Sequence, residues 1–373
     1  MKSLIISLFL LFCFLPSINI LPVSAEETST ARAMCVMEVD SGRVLYSKNM
    51  DEKLAMASTT KIMTAITVIE NCDNLDERFI VDSRSIGVPG TSIYLTREEE
   101  ISCRELLYGL MLASGNDASV ALACRIGETY EVFIDMMNSL AKKIGATNSH
   151  FVNPHGLDAE GHFTTAHDLA KIAGYAMKNE TFKEIVKTKS VKIEGSNEDG
   201  DTRYLNNKNR LLATLDGCVG VKTGYTSKAG RCYVGALEKD EMTVVCVVLN
   251  CGPMFEESAK LMEQAHDEFK KNEIFSDFKF VRNVSVEGGE KEFVKVYLRH
   301  GFLYPLKDGE LLSLHFIYNI PYVIEAPVEN DEEVGNIEVY LGNDLLFSEK
   351  IYTMEEVKGS SVFEKVKEIV GEF

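Results

Sequence analysis

The chain has 373 residues, 45% of them hydrophobic, which is enough to build cores for two domains. Its formal net charge of −18 opposes the phosphate contacts that nucleic-acid binding needs, so no nucleic acid is expected as a partner. Nine cysteines without a CxxC argue against a zinc or redox site built on cysteine.

The first 25 residues place Lys2 before a long apolar run that ends at Val23-Ser24-Ala25. That order reads as a secretory signal peptide cut after Ala25, and the small-residue site argues against an uncleaved anchor. No lipobox surrounds Cys13. Loss of Lys2, the one charge in residues 1–25, takes the net charge from −18 to −19. No later apolar run is long enough to span a bilayer. An exported, extracytoplasmic protein is expected.

From Ala31, two short apolar runs flank Asp40-Ser41-Gly42-Arg43, a hairpin signal. Helical patterns follow at about Thr59–Glu70, Cys103–Ala113, Asp117–Ile126 and Glu131–Ile144. Another begins at Thr165 and Asp168, which stand in capping-box spacing. After Asp216 the texture turns to strands, "CVGVKTGYT", "RCYVGALE" and "MTVVCVVLNC", before a helix at about Phe255–Lys271. This order predicts an α+β domain, helices on an antiparallel sheet, over residues 26–275. Residues 276–354 alternate or run apolar between Gly, Asn and Asp turns and predict a small all-β domain. Residues 355–373 predict a C-terminal amphipathic helix, with Val362, Phe363, Val366, Ile369, Val370 and Phe373 on one face. The eight cysteines beyond the signal are irregularly spaced, several within strand or helix patterns, and read as buried free thiols.

Three short elements can carry chemistry: Ser58-Thr59-Thr60-Lys61, Ser114-Gly115-Asn116 and Lys222-Thr223-Gly224. Singly, each is ordinary cap, turn or strand-end chemistry. In this order, behind a signal peptide, they match the S-x-x-K, S-x-N and K-T-G set of penicillin-binding proteins and β-lactamases. Ser58 at a helix N-terminus has backbone N–H groups and the positive dipole end nearby, which would stabilise an oxyanion. Lys61 lies one turn on, on the same face. To act as a base it must be neutral, and burial or a second cation, Lys222, would lower its pKa. Ser114 can relay a proton to a leaving amine, and the Asn116 amide can hold a substrate carbonyl. Lys222 and Thr223 suit a carboxylate, and Gly224 permits close approach at a strand edge.

With "ASTTKIMTA", "ASGNDASVALA", "FVNPHGLD", "NNKNRLL" and "GVKTGYTSKAGRC" in this order, the chain resembles the serine D-alanyl-D-alanine carboxypeptidases, the low-molecular-mass penicillin-binding proteins of peptidase family S11. The resemblance implies a β-lactamase/transpeptidase-like catalytic domain and no cofactor or metal. It implies Ser58 as acylated nucleophile, Lys61 as base, and Ser114 and Asn116 in proton transfer and substrate holding. Lys222 and Thr223 would bind the terminal carboxylate, and the N–H groups of Ser58 and Tyr225 would form the oxyanion hole. The implied partners are a peptidoglycan stem peptide ending in D-Ala-D-Ala and β-lactam antibiotics. The terminal helix would lie on the outer face of the cytoplasmic membrane; packing on the β-domain is the other reading, and the helix's balanced polar face favours lipid weakly. One departure stands out: Met254-Phe255-Glu256-Glu257 occupies the place of an Arg-Phe/Tyr-x-Glu context found in many members.

A class A β-lactamase needs a glutamate in an E-x-x-L-N context, but three residues before Leu205-Asn206 stands Thr202. An endopeptidase that cuts cross-links would use the same site and stays open. A zinc peptidase would have to use His155, His162, His167 and Asp158, whose spacing matches no zinc set. A non-catalytic wall-binding protein sits poorly with a full set of reactive side chains.

Overall fold

The computed structural model describes residues 29–194 and 202–361. The expected signal peptide and the apolar face from Val362 to Phe373 lie outside the described residues. The first hairpin joins β1 (Ala33–Glu38) to β2 (Val44–Lys48), and the Glu38 carboxylate closes its turn by accepting from the Asp40 and Ser41 N–H groups. One 3₁₀ turn, Ala57–Thr60, leads into α1 (Lys61–Asn71). The short strands β3 (Arg78–Ile80) and β4 (Glu100–Ser102) pair, and a Ser102/Glu105 capping box starts α2 (Cys103–Tyr108). Four helices follow: α3 (Asn116–Gly127), α4 (Tyr130–Ile144), α5 (Ala166–Met177) and α6 (Glu180–Lys187). At the start of α5, Thr165 Oγ1 accepts from the Asp168 N–H at 3.0 Å, the cap its spacing predicts. A small hairpin, β5 (Ser190–Ile193) with β6 (Arg203–Asn206), and the single-turn α7 (Leu211–Thr214) precede three long strands. These are β7 (Cys218–Thr226), β8 (Gly230–Lys239) and β9 (Met242–Leu249), followed by α8 (Met254–Glu268).

The strands form one antiparallel sheet in the order β2-β1-β9-β8-β7. Both faces are covered, which explains the unbroken apolar run of β9. Ala33, Cys35, Met37, Val245 and Val247 face the helical core built on α1 and α5. Met34, Val36, Val244, Cys246 and Val248 face α8 through Leu261, Met262 and Ala265. Strand alternation thus divides the domain into two cores, with Lys222-Thr223-Gly224 on the edge strand β7.

Beyond α8 the described residues form strands, with one 3₁₀ turn at Glu310–Ser313: β10 (Phe269–Phe275), β11 (Phe280–Glu287), β12 (Phe293–Leu298), β13 (Phe302–Lys307), β14 (Leu314–Asn319), β15 (Val323–Glu325), β16 (Glu333–Leu341) and β17 (Asp344–Thr353). Strands β10 and β13 pair, and the other six form a sheet in the order β14-β16-β17-β12-β11-β15. Val284, Val294, Val296, Ile337 and Ile351 fill its core.

Three boundaries differ from the sequence expectation. The last helix of the first domain stops at Glu268, not Lys271, because Phe269–Phe275 finds a backbone partner in β13, which brings these residues into the second domain. Residues 355–360 do not begin a helix: Val357 bridges to Val328 and Gly359 to Gly289, holding this stretch on the β-domain. The pattern Cys103–Ala113 is α-helical only to Tyr108, and Gly109–Ala113 widens into a π turn.

Candidate active site

The Ser58 hydroxyl is not a cap. The 3₁₀ turn and α1 begin without any side-chain cap bond, and the neighbouring threonines turn back on the chain. Thr59 Oγ1 donates to Met56 O at 2.6 Å and Thr60 Oγ1 to Ala57 O at 2.8 Å. Ser58 instead lines a cleft of about 360 Å³ with Thr91, Ser114, Lys208, Thr223, Gly224, Tyr225 and Arg231. Ala57, just before it, is held at φ +50°, a left-handed backbone that is strained for a residue with a side chain.

Lys61 is fully buried, and three oxygens surround its amine. Nζ lies 2.7 Å from Asn116 Oδ1, 2.6 Å from the His155 carbonyl and 3.0 Å from Ser58 Oγ. A neutral amine has two N–H donors and one lone pair. The amide and carbonyl oxygens can only accept, so they take the donors and leave the lone pair for the Ser58 hydroxyl. Burial, then the charges of Lys222 and Lys208, hold the Lys61 pKa well below its ordinary value.

The acceptors are fixed in turn. The Asn116 amide donates to Pro89 O at 2.7 Å. The "FVNPHGLD" segment is a closed loop: Asn153 Oδ1 accepts from the Gly156 N–H at 2.7 Å, and Asn153 Nδ2 donates to Leu157 O at 2.9 Å. Thr64 of α1 donates to Pro154 O at 2.7 Å, which aims the next carbonyl, that of His155, at Lys61. Gly156 has φ +88°, and a Cβ there would lie 1.9 Å from the Ala57 carbonyl oxygen. Only glycine lets this loop lie against the turn that carries Ser58.

Ser114 follows the π turn in the left-handed region, φ +66°, and is buried at the cleft wall. Widened helical turns of this kind occur often at functional sites. On the opposite wall β7 runs past Ser58 so closely that a Cβ on Gly224 would lie 3.0 Å from the Ser58 nitrogen. Lys222 is buried with Nζ donating to Thr223 O at 3.0 Å, and burial, with Lys208 behind it, lowers its pKa to about 7. Tyr225 is exposed at the rim.

The structure therefore brings Ser58, Lys61, Ser114, Asn116, Lys222, Thr223, Gly224 and Tyr225 to one cleft. Lys208, Thr91 and Arg231 were not singled out by the motifs. Lys208 lies inside "NNKNRLL", but its half-buried place near two other lysines rests on a long-range contact, its N–H donating to the Leu112 carbonyl at 3.3 Å, that no local pattern shows. The histidines do not converge. His162 is bonded to Thr60 Oγ1 at 2.9 Å and His167 to Asp51 at 3.2 Å, while His155 takes part through its carbonyl. Burial lowers the pKa of His155 to about 3 and of His162 to about 4.

A serine in the turn that opens a helix, with a buried lysine amine 3.0 Å away and a strand edge facing it, is the arrangement of the Ser–Lys acyl-transfer hydrolases. The D-alanyl-D-alanine carboxypeptidase profile, peptidase S11, matches residues 22–252, and the C-terminal domain of penicillin-binding protein 5 matches residues 269–359. The chain is 30% identical to the D-alanyl-D-alanine carboxypeptidase DacF of Bacillus subtilis, over 94% of this chain and 92% of that one. It is 32% identical to DacC of Escherichia coli, over 96% of this chain and 92% of that one. Penicillin-binding protein 5 from Haemophilus influenzae superposes with a TM-score of 0.75 at 25% identity, covering 88% of this chain and 98% of that one. The chain belongs to the peptidase S11 family of D-alanyl-D-alanine carboxypeptidases.

Proposed function

We propose that the chain is a serine D-alanyl-D-alanine carboxypeptidase that trims the last D-Ala from peptidoglycan stem peptides through an acyl-enzyme on Ser58. The observation that carries the reading is the Lys61 amine, with two fixed acceptors and its third direction facing Ser58 Oγ at 3.0 Å. Lys61 takes the Ser58 proton as the oxygen attacks the penultimate carbonyl. The N–H groups of Ser58 and Tyr225 receive the oxyanion, and the approach of Gly224 to Ser58 supports that pairing of strand and turn. Ser114 passes a proton to the leaving amine, Asn116 orients the peptide, and Lys222 with Thr223 binds the terminal carboxylate. Water then frees the acyl group from Ser58. A β-lactam would acylate the same oxygen.

This reading also puts the protein outside the cytoplasmic membrane, with residues 1–25 as signal peptide and the segment after Ser361 as its contact with the membrane face. No helix among the described residues is long and apolar enough to cross a bilayer.

Intact mass of the purified protein before and after excess penicillin tests the site. A persistent single adduct is expected in the wild type and none in Ser58→Ala. Lys61→Arg keeps a cation but not a base, and should slow acylation by about 10²–10⁴-fold. Unchanged acylation in Lys61→Arg would remove lysine from the base role; consumption of the drug without an adduct would indicate a β-lactamase.

A further inference from the structure

The Ser58 cleft is basic in a chain of net charge −18. Lys61, Lys208 and Lys222 lie inside or beneath it, and Arg231 stands exposed at its rim. Arg231 is the second residue of β8, directly across from Tyr225 in the β7–β8 register. Its backbone is fixed, because its carbonyl accepts from the Cys251 N–H at 2.8 Å. Its side chain is nearly uncommitted: Nη1 reaches only the Gly252 carbonyl, at 3.4 Å, and no carboxylate lies within ion-pair distance among the described residues. Arg32, Arg43 and Arg203, by contrast, each hold a glutamate.

Lys222 makes a poor sole anchor for a carboxylate. Its ammonium is buried, is bonded to the neighbouring Thr223 carbonyl, and is held by burial at a pKa of about 7, so near neutrality it is only partly charged. An arginine guanidinium keeps its charge wherever proteins fold, and its planar fork matches a carboxylate through two parallel bonds. Met254 and Phe255 form an apolar wall to the same cleft, which lowers the local dielectric and strengthens an ion pair formed there.

We propose that Arg231 is the charged anchor for the C-terminal carboxylate of the substrate, above the hydrogen bonds of Lys222 and Thr223, and that it sets the preference for peptides with a free C-terminus over blocked or extended ones. The inference rests on the reading of this cleft as a D-Ala-D-Ala peptidase site. It gives a physical basis for favouring a C-terminal residue over a chain-internal α-peptide bond, which offers no carboxylate at that position.

The test uses an N-acylated peptide ending in D-Ala-D-Ala, once with its free carboxylate and once as the C-terminal amide. Both are turned over by the wild type, Arg231→Lys, Arg231→Gln and Arg231→Leu. The ratio of kcat/KM for acid over amide should fall about ten- to a hundredfold in Arg231→Leu and Arg231→Gln, mainly through KM, with partial rescue in Arg231→Lys. Far-UV circular dichroism shows that each variant is folded; intact mass after long incubation with excess penicillin shows that Ser58 stays reactive, at a slower rate, since the drug's own carboxylate would meet the same anchor. Should Arg231→Leu fold poorly, Arg231→Gln carries the comparison. An acid-to-amide ratio equal to the wild type's in an acylatable variant overturns the assignment of Arg231. A wild type that releases D-Ala from neither peptide and takes no penicillin overturns the underlying reading instead, and the inference falls with it.

Discussion

Lys61 and Lys222 are two buried amines in one cleft, and their environments give them different chemistry. Lys61 has accepting oxygens for both its protons, so burial favours its neutral, basic form. Lys222 has only the Thr223 carbonyl, at 3.0 Å, and an incoming carboxylate would compensate its charge. This makes Lys222 a cost to the empty protein. Its folded pKa of about 7 lies below the value near 10.4 of an unfolded lysine. Between those values the unfolded chain keeps a proton that the folded one releases, so stability rises with pH from about 7 towards 10, and is lowest below 7 where both states are charged. Denaturant titrations at pH 7 and pH 9.5 should show the wild-type midpoint rising relative to that of Lys222→Met, since the buried thiols, whose raised pKa values lower stability above pH 9, act equally on both. An equal change in both would assign the slope to other groups. Serine and lysine at this spacing were legible in the sequence because one helical turn fixes their reach. The places of the His155 carbonyl, Lys208 and Arg231 at the cleft were not, because each is set by a segment distant in the chain.

At the scale of elements, the site depends on three departures from regular geometry: the left-handed Ala57, the π turn Gly109–Ala113 and the glycine loop at Gly156. Hydrophobic periodicity placed a helix over Cys103–Ala113 but could not show the extra residue in its last turn, since a π turn keeps the same apolar side chains buried. Asp117, next to Asn116, has a structural role. Its carboxylate accepts from the N–H groups of Ile93 and Leu95 and from Ser92 Oγ, fixing the loop that brings Thr91 to the cleft. Gly156→Ala puts a Cβ against the Ala57 carbonyl and forces an alanine into a left-handed backbone. A loss of about 2–4 kcal/mol in stability is expected. A loss of penicillin acylation rate should accompany it if Ser58 is the acylated residue, because the displaced group belongs to the turn that carries Ser58. Chemical denaturation with penicillin acylation on the same samples checks both; lost stability with unchanged acylation would separate the loop from the site.

Across the whole molecule, two domains meet at a polar and aromatic seam. Arg43, in the first hairpin turn, pairs with Glu310 through two bonds of 2.9 and 2.7 Å and lies over the rings of Phe269 and Tyr304. Lys307 reaches Glu268 at 2.7 Å, and Lys271 reaches Asp40 at 2.7 Å. Arg43→Ala should weaken this seam by about 1–3 kcal/mol and split a single calorimetric transition into two. Turnover of small peptides should persist, since Arg43 lies outside the cleft; a single unchanged transition would show that the seam does not couple the domains. The eight described cysteines are unpaired, all but Cys72 are buried, and burial raises the Cys232 and Cys251 thiols to about 11, which keeps them unreactive. By itself the sequence determined the family, the α+β class and the motif residues, because helical turns and strand alternation are short-range and the motif spacing is specific. Only the tertiary structure decided where the first domain ends, since a partner strand in the second domain makes Phe269–Phe275 a strand. It also decided which acceptors take the protons of Lys61 and which arginine stands unpaired at the cleft, because desolvation and pairing depend on groups brought together from separate segments of the chain.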